Sequence, residues 1–411
     1  MKRLITSAAT VFAGIFMVFG CGDSDSSGNP APNFEQLAPV AVQKTNQTKI
    51  YMHYMPWFET KASNGSWGYH WTMDNKNPDV IVDGKRQIAS HYYPMIGPYH
   101  SGDKHVIENH LLMMKYAGVD GILIDWYGTY DLNDFRLIKQ NTEQLIEMLD
   151  KVGMEYAIVY EDRFLTDIVN AQLAPSVTTA ARNDLAYLQA NFFGDANYIK
   201  INGKPLLLNF GPITIQTEAG WTSAFQNLNP KPTFLTLWHE SADAGANASG
   251  EYAWVYQDNN HLADFYQNHI ATLDVAFGSA YPGFNDFYEE GGTSTVIGWT
   301  IAHNNGATLD ETLQMAASAN VDYLQLITWN DFGEGTMIEP TVELGYDYVN
   351  RVRSFAGVQN APSVFQEISR LHDLRVEFSS NQGIQRKIDQ AFYYFVSLQT
   401  DKAIAKLNEI Q

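Results

Sequence analysis

The chain is almost without cysteine: Cys21 is the single one in 411 residues. That excludes a disulfide framework, a cysteine-based metal site and a thiol nucleophile in the body of the chain. Positive charge is scarce as well. Lys and Arg total 26 against 46 Asp and Glu, a net charge of −20. Such a field repels phosphates, which argues against nucleic acid and anionic membrane surfaces as partners. No G-x-G-x-x-G or Walker pattern opens a helix, so a nucleotide-binding sheet lacks its signature. A Ser/His/Asp hydrolase pattern such as G-x-S-x-G is missing too, and no repeat of solenoid period is visible. The apolar run at the start, Leu4 to Phe19, is too short and too badly flanked for a membrane span.

What is present begins with that run. Lys2-Arg3 precede it, and it ends in Val18-Phe19-Gly20-Cys21, which resembles a bacterial lipobox. Residues 1–20 therefore read as a lipoprotein signal peptide, with lipidation at Cys21. Residues 21–48, rich in Ser, Asp, Asn, Pro and Gln, read as a flexible tether. The location this implies is the bacterial cell envelope, on the periplasmic or surface face of the outer membrane. The membrane would be touched through lipidated Cys21 only.

From Lys49 onward, short β-branched and aromatic runs alternate with helical patterns. Eight strand candidates start near Ile50, Val119, Tyr156, Pro205, Thr233, Tyr252, Asp274 and Tyr323. Helix patterns run from Val106 to Ala117, Asn133 to Val152 and Ser176 to Phe192. Another covers Leu309 to Ala319, preceded by a Thr308-x-x-Glu311 capping box. Eight such alternations predict an α/β fold, a (β/α)₈ TIM barrel over residues 49–357. Residues 358–411 turn purely helical, with patterns at Ser363–Phe378, Gln385–Leu398 and Asp401–Ile410, and read as a small C-terminal appendage.

In such a barrel the chemistry sits where strands end. Those ends carry His53 to Trp57, Asp125-Trp126-Tyr127, Tyr160-Glu161-Asp162-Arg163, Asn209-Phe210, Trp238-His239-Glu240, Tyr281 to Asp286, and Trp329-Asn330-Asp331-x-x-Glu334. Acids, amides and aromatics recur at one rim, as a sugar-binding cup requires. Two carboxyl groups three positions apart after the last strand suit general acid/base work on a glycosidic bond. The competing reading is a polar turn after a buried strand. Histidines cluster early, at 53, 70, 91, 100, 105 and 110, but in no metal-ligand spacing, so neither metal nor cofactor is expected.

The order Tyr54-x-Pro56-Trp57, His70-Trp71, Tyr93-Pro94, Val106-Ile107-Glu108-x-His110, Glu161, Gly203-Lys204-Pro205-Leu206, Pro282-Gly283-Phe284-Asn285-Asp286 and Trp329-Asn330-Asp331-x-x-Glu334-Gly335-Thr336-x-Ile338-Glu339 resembles glycoside hydrolase family 99. That family comprises endo-α-mannosidases and endo-α-mannanases on a (β/α)₈ fold. The resemblance runs from about Ile50 to Glu339. It departs at Asp331, where the family has glutamate, and the Trp-Asn-Asp-aromatic-Gly-Glu string is closer to family 71, the α-1,3-glucanases.

The resemblance implies a glycoside hydrolase acting on α-linked polysaccharide or oligosaccharide, mannan-like or glucan-like. Glu334 would be the general acid. Asp331 would be the base, acting on the sugar's own 2-hydroxyl as in family 99 or on water as in family 71. Expected substrate contacts are Glu161, Asp125, Tyr54, Trp57, His70, Trp71, Trp126, Trp238, Asn285, Asp286, Trp329 and Asn330. Glu161 has a competing structural reading as a partner of Arg163. The alternative for the whole protein is a catalytically silent glycan-binding lipoprotein.

Overall fold

The computed structural model describes residues 34–410. The signal peptide, Cys21 and the first part of the tether lie outside the described residues. Eight parallel strands form the barrel: β1 (Lys49–Tyr54), β2 (Gly121–Trp126), β3 (Glu155–Tyr160), β4 (Lys204–Asn209), β5 (Thr233–Leu237), β6 (Gly250–Tyr252), β7 (Val275–Ala280) and β8 (Tyr323–Leu326). Each pairs with the next, and β1 closes the ring on β8, with Ile50 opposite Leu324. The barrel is the predicted one, and every strand begins within two residues of its expected start. The strands are buried along nearly their whole length, which is why they read as apolar runs rather than clean alternations. At the barrel's lower end Tyr51, Phe277 and Tyr323 stack at 5.9 and 4.8 Å between ring centres. This layer fills the interior, so the cup opens at the other end.

Ten helices matter to the argument. They are α1 (Lys104–Tyr116), α2 (Phe135–Val152), α3 (Val177–Asn191), α4 (Glu218–Ala224), α5 (Asn259–Asp264), α6 (Ala307–Ala319), α7 (Asp347–Ala356), α8 (Val364–Glu377), α9 (Gln382–Val396) and α10 (Thr400–Leu407). Ser176 caps α3 by accepting the Thr179 N–H at 3.2 Å. Two expected caps differ. Asn133 does not open α2; it stands at φ +50°, and the helix begins two residues later. The Thr308 capping box does not form either. The helix starts one residue earlier, at Ala307, so Thr308 lies inside it and donates instead to the Ala302 carbonyl. In both cases tertiary entry of the chain outweighs a local signal worth about 1 kcal/mol.

Residues 34–48 are pinned, which corrects the tether reading for that stretch. Phe34 stacks on Tyr393 at 5.8 Å, and the Glu35 N–H donates to Gln390 Oε1 at 2.7 Å. The Val40 N–H reaches the Val396 carbonyl, and Asn46 reaches that of Ala356. A polar composition suits free chain, but here backbone donors bond to α7 and α9. The C-terminal helices in turn lie against α1 through a buried ion pair. The Arg375 guanidinium meets both Glu108 oxygens, at 3.0 and 3.1 Å. Among the described residues no helix is long and apolar enough to cross a membrane.

Candidate active site

At the C-terminal rim of the barrel lies a cavity of about 410 Å³. Asp331 and Glu334 line it, from the loop after β8. That loop is folded on itself. Thr328 and Thr336 bond across its neck at 2.9 Å, and the Asp331 N–H donates to Thr328 Oγ1 at 2.8 Å. The loop after β7 then clamps it: the Asn285 N–H donates to the Glu334 carbonyl and the Phe287 N–H to that of Gly333. Gly335 permits the clamp. Its φ is +67°, and a Cβ there would meet the Asn285 carbonyl oxygen at 2.6 Å.

The two carboxyl groups differ in their partners. Glu334 Oε1 accepts the Tyr288 hydroxyl at 3.0 Å. Asp331 Oδ1 accepts the Glu334 N–H at 2.9 Å. Burial pushes Asp331 well above the ordinary carboxylate range, Glu334 adds to the rise, and the backbone N–H groups of Glu334 and Gly333 oppose it. Burial raises Glu334 as well, against the Tyr288 hydrogen bond and the charge of Arg163.

Two further acids stand beside them. Asp125 is 2 % exposed, and its Oδ2 has no hydrogen-bond partner. Burial and then Glu161 drive it far upward. Glu161 is pushed up to about 7 by burial, opposed by Arg163. Arg163 Nε sits 2.6 Å from Glu161 Oε2. That contact is an ion pair rather than an aligned hydrogen bond, since Glu161 Oε2 accepts none. Arg163 also lies over the Phe210 ring at 5.0 Å. Four acids thus share one guanidinium in the cavity wall. Not all of them can be ionised near neutral pH, so the wall holds protons that an acid catalyst can donate.

Of the expected contacts, Glu161, Asp125, Trp57 and His70 line the cavity. The Trp57 and His70 rings stack at 4.0 Å and 5°. The others do not line it. Strand alternation explains the sharpest case: Asp125 points inward, so its neighbour Trp126 points outward and stacks on Tyr187 of α3. Tyr54 likewise faces α1, bonded to His110 Nδ1 at 3.0 Å. Trp329 packs on the same His110 ring. Trp71 is core, stacked on Phe58 with its Nε1–H on the Tyr99 carbonyl. Asn330 is wholly buried and ties β8 to β1, accepting the Met55 N–H and donating to the Met55 carbonyl. None of these five has surface for a sugar. Trp238 is half-buried against Phe265, away from the cavity. Asn285 and Asp286 act from behind the wall, through the clamp and through charge on Glu334.

The cavity also gathers residues that the strand ends did not announce: Tyr69, Met73, Trp254, Tyr288 and Thr295. Trp254 follows β6 by two residues, in the inward-pointing register, so strand alternation marks it for the cavity. Tyr288 lies two residues past the Asn285-Asp286 turn and has no signal of its own.

The fold finds counterparts among known proteins. The family model of glycosyl hydrolase family 99 matches residues 45–207. That stretch, about two fifths of the chain, is similar to that family. The matched stretch holds Trp57, Asp125 and Glu161 and ends before the β8 loop. A human glycoprotein endo-alpha-1,2-mannosidase-like protein is 21% identical over 383 residues, 81% of this chain and 77% of that one. Its mouse counterpart is 22% identical over 337 residues, 71% of this chain and 69% of that one. The solved GH99 endo-alpha-mannosidase from Bacteroides thetaiotaomicron shares the fold, with TM-score 0.60, 20% identity, 79% of this chain covered and 99% of that one.

Proposed function

We propose that this chain is a glycoside hydrolase that cleaves internal α-linkages of an α-mannan-like glycan, with Glu334 as general acid and Asp331 as base. The observation that carries the assignment is their joint place in the cavity wall, one oxygen of Glu334 held by Tyr288. The mannan-like substrate is supported by the relatives, several of which bear endo-mannosidase names.

In this reading Glu334 gives its proton to the leaving glycosidic oxygen as the C1–O bond breaks. Asp331 takes a proton from the attacking oxygen. That oxygen belongs either to water or to the sugar's own 2-hydroxyl, and the anomer formed first distinguishes the two routes. Arg163 keeps positive charge beside the acids as they exchange protons. Trp57 offers an aromatic surface for a ring's apolar face.

The test is incubation with α-mannan, α-1,3-glucan and a β-linked mannan as control, with products sized by mass. Oligosaccharides from α-mannan alone are expected. Products from α-glucan alone would move the assignment to the glucanase-like reading that Asp331 favours.

The lipid anchor is part of the same proposal and rests on the lipobox-like ending at Cys21. The Cys21→Ser protein should leave the membrane fraction. Equal partition of both forms would refute the anchor.

A further inference from the structure

We propose that His239, Glu251 and His269 form a binding site for one divalent transition-metal ion of the zinc class, separate from the catalytic cavity. His239 follows β5, Glu251 is in β6, and His269 ends the π turn Phe265–His269 that continues α5. One ligand atom from each lies within 4.8 Å of the other two. None of the three lines the cavity.

Several features suit an ion. Glu251 is 1 % exposed, and its Oε1 is fixed by the Ser241 N–H at 3.0 Å. His269 Nε2 stands 2.6 Å from Glu251 Oε2, a hydrogen bond whose place a metal would take. The His239 and His269 rings are 4.4 Å apart between centres. His239 is held at φ +67°, with its N–H donated to Glu251 Oε2 at 2.6 Å. The backbone thus returns this imidazole toward its own acceptor.

In a tetrahedron with bonds of about 2.0 Å, ligand atoms stand roughly 3.3 Å apart. Small rotations of two partly exposed imidazoles would reach that spacing. Two imidazoles and one carboxylate suit zinc, nickel or copper, whereas magnesium and calcium prefer oxygen ligands. The fourth position is open to water. The role is structural: the ion would tie the loop after β5 to the π turn after α5, closing one side of the barrel rim.

The full chain, untagged and stripped with chelator, is titrated with zinc chloride by calorimetry and followed by thermal melting. One equivalent should bind and raise the melting temperature, with no such effect from magnesium or calcium. His239→Ala and His269→Gln should each weaken zinc by more than the 10–100-fold typical of outer-shell changes. Glu251 also holds the loop backbone, so the two histidines carry the test. Circular dichroism of both variants without metal should match the parent. Absence of zinc binding would overturn the proposal. So would binding that survives both substitutions, because the ion would then be held by other side chains.

Discussion

The Tyr288 hydroxyl donates to Glu334 Oε1 at 3.0 Å, across 46 residues of chain. Among the described residues it is the one hydrogen bond from a side chain to the proposed acid, and it stabilises the ionised form. Removing it as Tyr288→Phe should therefore raise the Glu334 pKa. The alkaline limb of the pH–rate profile should move to higher pH. A hydrogen bond to a charged group contributes about 1.5–3 kcal/mol, so the rate should fall by about 10- to 100-fold. An unchanged limb with an unchanged rate would remove Tyr288 from the machinery.

The pair itself makes a sharper prediction. General acid/base assistance is typically worth about 10²–10⁴-fold. Glu334→Gln should lose most turnover on polysaccharide, but much less on a substrate whose leaving group is already acidic. Asp331→Asn should damage both, because attack at C1 is common to them. Near-normal activity of Glu334→Gln on polysaccharide would sink the assignment. An active Asp331→Asn would move the base to Asp125 or Glu161.

Glu161 links the site to stability. Its folded pKa is about 7, above the ordinary carboxylate value. Between the two, the folded state binds more protons than the unfolded one. Stability from this group is thus greatest below the ordinary value and falls as pH rises toward 7. Glu161→Gln cannot ionise, so its melting temperature should gain on the parent as pH rises from about 4.5 to 7. A constant difference across that range would show that the carboxyl is not raised.

The C-terminal helices are expected to be indispensable to the barrel. Arg375 and Glu108 are 3 % and 8 % exposed by side chain. Removing one partner of such a pair typically costs about 3–5 kcal/mol, because the other charge stays buried. Urea unfolding of Arg375→Met should show that loss, while Arg375→Met with Glu108→Leu should recover most of it. A chain ending at Gly357 should lose cooperative melting for the same reason. A sharp transition in that truncated chain would establish the helices as a separable unit.

Much of this architecture was legible along the chain, and for a local reason. Strand and helix differ in period, and the ends of strands are marked by turns and polar residues. The eight strands, the rim and the Asp331-x-x-Glu334 element need only that information. The direction in which a rim residue points is another matter. Asp125 and Trp126 are neighbours with equal claim to a sugar, and only barrel closure turns one inward and the other onto Tyr187. Asn330 looks like a ligand until its amide is seen to join β8 to β1. Tyr288 meets Glu334 because the loops after β7 and β8 clamp together. His239, Glu251 and His269 converge from the loop after β5, from β6 and from the π turn after α5. Periodicity along a chain determines which elements form. Which side chains share a cavity depends on register and packing between elements, and that was decided in the tertiary structure alone.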